Sequence, residues 1–198
     1  MHFAHLAQAE ISAGFATDEF VLRPIVAADT ELDYAAVMES KEFLRPWEQT
    51  GWPADDFTLE EDRRDVEGLE QRHRDRYAFT YTVMDPSGTE CLGCVYLMPP
   101  DARSFATSEI TPIGEDDWQR VGALVYFWVR TSRLASGLDG RLLASLRDWL
   151  ARDWNVCRHP FVTNEEVTQQ VELLERAGLR SRFRIDKPTQ TGSYLAFE

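Results

Sequence analysis

The stretch RTSRLASGLDGRLLASLRDWL, residues 130–150, holds the densest chemistry in the chain. It follows ALVYFWVR, a strand-like run, and its leucines recur at helical spacing, so Gly137 and Gly140 sit at a strand-to-helix turn. The first turn of a helix leaves backbone N–H groups unpaired and carries partial positive charge. Glycines let a ligand approach the backbone closely. An anion, above all a phosphate, is the guest such a turn selects. Arg130, Arg133 and Arg141 outnumber Asp139 locally, a basic island in which each guanidinium suits a phosphate oxygen. The pattern is neither G-x-G-x-x-G nor a loop ending in Gly-Lys-Ser/Thr.

Groups able to move a proton lie nearby in sequence. Residues 101–119 carry five acids, Glu109 and Glu115 among them, against one arginine, a segment that either attracts an ammonium or is a solvated loop. Tyr126, on the strand before the turn, either donates a proton or packs structurally. Trp47 and Trp52 either line a pocket for an amine or pack as a lid. CLGC at residues 91–94 reads as part of a strand. Residues three apart on a strand face opposite ways, so Cys91 and Cys94 are expected to diverge and to pack.

These residues need elements to hold them. Residues 20–26 read as a strand. Thr30 with Asp33 fits a capping box and opens a helix, which ends before FLRPWEQTGWP. Thr58 with Glu61 caps a second helix, about 59–76, with a thin apolar stripe. YAFTYTVMD and CLGCVYLM form a hairpin across PSG. Residues 99–121 read as a long loop. ALVYFWVR is apolar on both faces, the mark of a central strand. A helix follows the glycine turn. HPFVTN is a short strand, Asn164 can cap the next helix, and two strands close the chain. The order β α α β β β α β α β β fits an α/β (α+β) layered domain. Residues 19–198 are expected to form a single domain after an N-terminal extension, 1–18.

The composition is globular: 198 residues, 43% hydrophobic, 12% aromatic. Apolar runs fall far short of the roughly 20 residues of a membrane helix, and the N-terminus does not read as a signal peptide, so a cytoplasmic protein without membrane contact is expected. Twenty-one basic against 34 acidic side chains give a net charge of −13, which argues against nucleic acid and either attracts a cationic small molecule or a basic peptide or serves only to keep the protein in solution. Three cysteines, an odd count, do not make a disulfide framework.

From about residue 19 to the end, the chain resembles the GNAT superfamily of N-acetyltransferases. Element order, the glycine turn, EFLRPWEQTGWP (residues 42–53) and LLERAGL (residues 173–179) carry the resemblance; the third is similar to a segment of the branch acetylating ribosomal-protein N-termini and related amines, and the last to the ending of the family's last long helix. A gapless match to the family's Arg/Gln-x-x-Gly-x-Gly/Ala puts Leu134 first, Gly137 at the first glycine and Asp139 at the last. The resemblance implies a mixed central sheet flanked by helices, with acetyl-CoA as co-substrate and no metal. It implies that Phe127, Trp128, Val129 and Arg130 run along the pantetheine. Arg133, Ala135, Ser136, Gly137, Leu138, Asp139 and Gly140 would then hold the pyrophosphate, with Asn164 nearby. Glu109 is the candidate base and Tyr126 the candidate acid. The acceptor would be a primary amine, on a small molecule or a peptide N-terminus. Asp139 and the absence of the family's tyrosine from the last long helix leave open a degenerate acyl-CoA-binding module. A non-catalytic interaction protein and a homodimer also stay open.

Overall fold

Among the described residues, nine short extended segments build one mixed sheet, and six α-helices flank it. β1 (Phe15–Ala16) and β2 (Val21–Pro24) precede α1 (Thr30–Glu39), α2 (Lys41–Glu48) and α3 (Leu59–Arg74). β3 (Phe79–Met84), β4 (Cys91–Met98) and β5 (Glu109–Pro112) follow. β6 (Leu124–Val129) then leads through α4 (Thr131–Leu134) into α5 (Leu138–Asp153). β7 (Phe161–Asn164), α6 (Thr168–Arg176), β8 (Ser181–Asp186) and β9 (Tyr194–Phe197) complete the chain. The structure is a computed structural model and describes residues 11–198 other than 103, 104, 106, 155, 157 and 189; Cys157 and the first ten residues of the expected extension lie outside the described residues. Among the described residues, no helix is long and apolar enough to cross a membrane.

The strand order is β1-β2-β3-β4-β6-β7-β9-β8-β5. β6 and β7 pair in parallel, joined by the α5 crossover, and the other described pairs are antiparallel. As its sequence suggested, β6 is buried on both faces. Val125, Phe127 and Val129 meet Leu142, Leu146 and Trp149 of α5 in one core. Leu124, Tyr126 and Trp128 meet Val37, Leu44 and Trp47 of α1 and α2 in the other. Ile11 and Phe15 pack on the first core, and Trp149 Nε1 donates to Ser12 Oγ at 2.8 Å, so the described residues before 19 belong to this body.

Several local expectations are corrected. FLRPWE does not break regularity: α2 runs through Pro46, because the helix buries Leu44 and Trp47, and that packing outweighs one missing N–H. Residues 109–112 are not loop but strand β5, paired with β8 at the sheet's far edge. α1 starts at Thr30 as expected, yet not through a Thr30–Asp33 box. The Asp29 carboxylate accepts from Val26 N at 3.1 Å and Thr30 Oγ1 donates to Ala27 O, which frees Asp33 for the core. Asn164 does not cap α6, whose N-cap is Val167; its Oδ1 accepts from Glu166 N in a turn. The Thr58–Glu61 box is present, with Glu61 N donating to Thr58 Oγ1 at 3.3 Å and Thr58 N to Glu61 Oε2 at 2.8 Å. Thr58→Ala should lower unfolding free energy by about 1 kcal/mol, read from the denaturation midpoint.

The cysteines do not diverge. Val83 pairs with Gly93 while Met84 pairs with Cys91, so Leu92 is an extra residue in β4. This bulge flips the alternation: Leu92 joins one core, and Cys91 and Cys94 both face the other. Gly93 permits it, for its φ is +149° and a Cβ there would lie 2.1 Å from Trp128 O.

Candidate functional site

β6 and β7 share one Cα pair, Val125 with Phe161, and then part. Two residues further on, where a ladder bond would join Phe127 to Thr163, a side chain stands between the strands. Gln170 Nε2 donates to Phe127 O at 2.8 Å, and Thr163 Oγ1 donates to Gln170 Oε1 at 2.6 Å. The sheet is therefore splayed at its centre, with Gln170 of α6 in the fork.

Beyond the fork lies the glycine turn. Gly137 is the N-cap of α5 with φ +73°, a left-handed conformation that disfavours any side chain. Ala135 and Ser136 are exposed on the turn, and the first-turn amides of Leu138 and Asp139 have no partner within the helix. The three arginines are not free for a ligand. Arg130 Nε donates to Glu39 at 2.6 Å, Arg133 pairs with Glu90, and Arg141 Nε donates to Glu19 at 2.5 Å. The acids come from distant parts of the chain, so the basic island is visible only in sequence. The Arg133 and Arg141 pairs are part-exposed and worth little, about 0–1 kcal/mol each, so an incoming anion can replace them, whereas Arg130 is more enclosed and also pairs with Glu90 at 3.3 Å.

Tyr126 opens onto a second feature. A cavity of 250 Å³ is lined by Trp47, Glu48, Trp52, Tyr96, Tyr126 and Lys187, with Asp65 and Tyr194 among its other walls. The Tyr126 hydroxyl and Trp47 Nε1 are buried without a hydrogen-bond partner, which leaves donors for a guest. Burial pushes the Glu48 carboxyl above its ordinary range, opposed by the charge of Lys187, and burial lowers the Lys187 ammonium. Lys187 Nζ sits 4.3 Å from the centre of the Tyr194 ring.

No family model matches the sequence, and no curated protein sequence matches it. Solved structures do match. A RimL ribosomal L7/L12 alpha-N-protein acetyltransferase in complex with coenzyme A superposes with a TM-score of 0.67 at 16% identity, over 91% of this chain and 93% of that one. A ribosomal-protein-S5-alanine acetyltransferase from Vibrio fischeri gives 0.67 at 17%, over 94% and 95%. The microcin C7 self-immunity acetyltransferase MccE, in complex with acetyl-CoA and AMP, gives 0.68 at 13%, over 94% and 96%. The fold is that of the GNAT acetyltransferases.

Within the GNAT fold, the candidate residues fall into three groups. Phe127, Trp128 and Val129 lie on β6 and Arg130 caps α4, with residues 127–129 no more than 2% exposed. Arg133, Ala135, Ser136, Gly137, Leu138, Asp139 and Gly140 gather at the turn. Tyr126 lies in the aromatic pocket, while Glu109 is exposed on edge strand β5, opposite Asp186, and is not among the pocket's walls. Asn164 is buried at the end of β7. Sequence reading missed Glu48, Lys187, Gln169 and Gln170. Nothing in their spacing marks them, because the fold alone brings them to the strand.

Asp139 is the residue the GNAT turn makes least expected. Its carboxylate is turned to protein: Oδ1 accepts from Gly140 N at 2.8 Å, and Oδ2 accepts from Gln169 of α6. Asp139→Ala should cost about 1 kcal/mol of stability through the lost hydrogen bonds from Gly140 N and Gln169. It should also tighten the binding of a pyrophosphate ligand, since a negative charge leaves the turn; thermal melts and calorimetry with coenzyme A check the two effects.

Proposed function

We propose that this protein transfers an acetyl group from acetyl-CoA to a primary amine, on a small molecule or a peptide N-terminus. The observation behind this reading is the meeting of two features on adjacent residues of one strand. The Tyr126 side chain faces the aromatic pocket, and the carbonyl oxygen of Phe127 faces the fork between β6 and β7. The residues fit an acyl-CoA: a splayed strand edge, a glycine turn with first-turn amides, and the part-exposed ion pairs of Arg133 and Arg141, which can yield to phosphates. In this reading the turn at residues 135–140 holds the pyrophosphate and β6 runs beside the pantetheine. Acetyl-CoA supplies the activated acyl group.

The pocket takes the amine. Its aromatic walls suit an ammonium, and Glu48 is placed to accept its proton. Glu48 takes the base's role expected of Glu109. An N–C bond forms as the C–S bond breaks, the amine proton passes to Glu48, and the departing thiolate takes a proton from Tyr126. A cytoplasmic site of action goes with this reading.

Thiol release from acetyl-CoA across a panel of primary amines and peptide N-termini tests it. Amine-dependent release supports the transferase. Calorimetric binding of acetyl-CoA without release supports a second reading, a binding module, which Gln170 in the fork and Asp139 at the turn favour. No binding overturns both. Gly137→Glu should weaken coenzyme A binding about tenfold or more, since a left-handed position and an anion turn both receive a charged side chain.

A further inference from the structure

The buried thiols of β4 lie outside the transfer chemistry. The Leu92 bulge turns Cys91 and Cys94 toward α1, whose Asp33 reaches between them. Asp33 Oδ1 lies 3.3 Å from Cys94 Sγ and 3.8 Å from Cys91 Sγ. One ligand atom from each of the three residues falls within 4.8 Å of the other two. Zinc bonds thiolate at about 2.3 Å and carboxylate oxygen at about 2.0 Å, which at tetrahedral angles sets sulfur and oxygen about 3.5 Å apart. The observed spacings bracket that value.

The three ligand groups are shut away from solvent. Asp33, Cys91 and Cys94 are 5%, 0% and 1% exposed. A carboxylate at this depth is costly without countercharge. A second, independent feature agrees. Asp62 of α3 is 1% exposed and its Oδ2 has no hydrogen-bond partner; burial first, and then the neighbouring Asp33, push its carboxyl up to about 8. Two carboxyls and two thiols thus share one buried quarter.

We infer that Asp33, Cys91 and Cys94 form a binding site for a thiophilic divalent cation of the zinc type, which pins α1 to the bulge of β4. Thiolates select soft metals, and the carboxylate oxygen favours zinc over monovalent copper. Zinc takes the two cysteines as thiolates. Thr82 Oγ1, on the neighbouring strand, lies 3.6 Å from Cys91 Sγ. The role is structural and independent of acyl transfer.

The test is to unfold the full chain in chelator and refold it with Co²⁺, a coloured substitute for Zn²⁺. About one Co²⁺ per chain should bind, with thiolate-to-metal absorption and tetrahedral visible bands that Zn²⁺ abolishes. Cys91→Val/Cys94→Val, apolar replacements of similar size, should fold by circular dichroism and lose the bands. X-ray absorption of the zinc-loaded wild type needs no variant and should find two sulfurs at about 2.3 Å. Absence of bound metal, a shell of oxygen and nitrogen only, or bands that persist in the double variant would overturn the site.

Discussion

Glu48→Gln is expected to lower kcat/KM by about 10²–10⁴, the range a positioned general base contributes. The amide keeps the shape of the side chain and removes only its ability to take a proton. The pH profile gives the sharper test. A base works deprotonated, and burial raises the Glu48 carboxyl above its ordinary value. The rate of the wild type should therefore climb with pH through a limb displaced upward from the usual carboxylate value near about 4.3. In Glu48→Gln that limb should vanish. A variant that keeps the limb at the same pH would remove Glu48 from the proton's path.

Tyr126→Phe should lower turnover by about 10²-fold, at the low end of the range for acid–base groups. Its effect on stability should run the other way. The hydroxyl is buried without a partner, and leaving such a group unsatisfied costs about 1–3 kcal/mol. Removing it should leave the melting temperature unchanged or higher. Slower turnover with an equal or higher melting point marks a group kept for chemistry. Equal losses in both would mark a packing residue.

How far the sequence could be read depends on the range of the interactions involved. β6 was legible because two apolar faces within seven residues can only mean burial on both sides. α5 was legible because Leu142, Leu146 and Trp149 repeat at the helical period. The Thr58–Glu61 cap spans three residues, and it formed. What failed was non-local. Pro46 forbids a helix on propensity alone, yet α2 forms because Leu44 and Trp47 find a core contributed by other elements. Cys91 and Cys94 obey strand alternation until one inserted residue reverses it, and that insertion answers the partner strand. Asp33 reads as a cap and becomes a core group. The pocket assembles from α2, α3, β4, β6 and β9, so Glu48 and Lys187 come from opposite ends of the chain. The arginines near the turn looked available because Glu19, Glu39 and Glu90 are distant in sequence.

The two neighbouring glutamines of α6 bear on how any guest is admitted. Gln169 holds the start of α5, and Gln170 holds the carbonyl of Phe127. A molecule laid along β6 does not find a vacant acceptor at that point; it replaces an amide already seated. Exchange of one hydrogen bond for another changes free energy little. Tightness must then come from the phosphate end and the aromatic end of the guest, while the middle acts as a latch, setting how fast occupancy changes more than how complete it becomes.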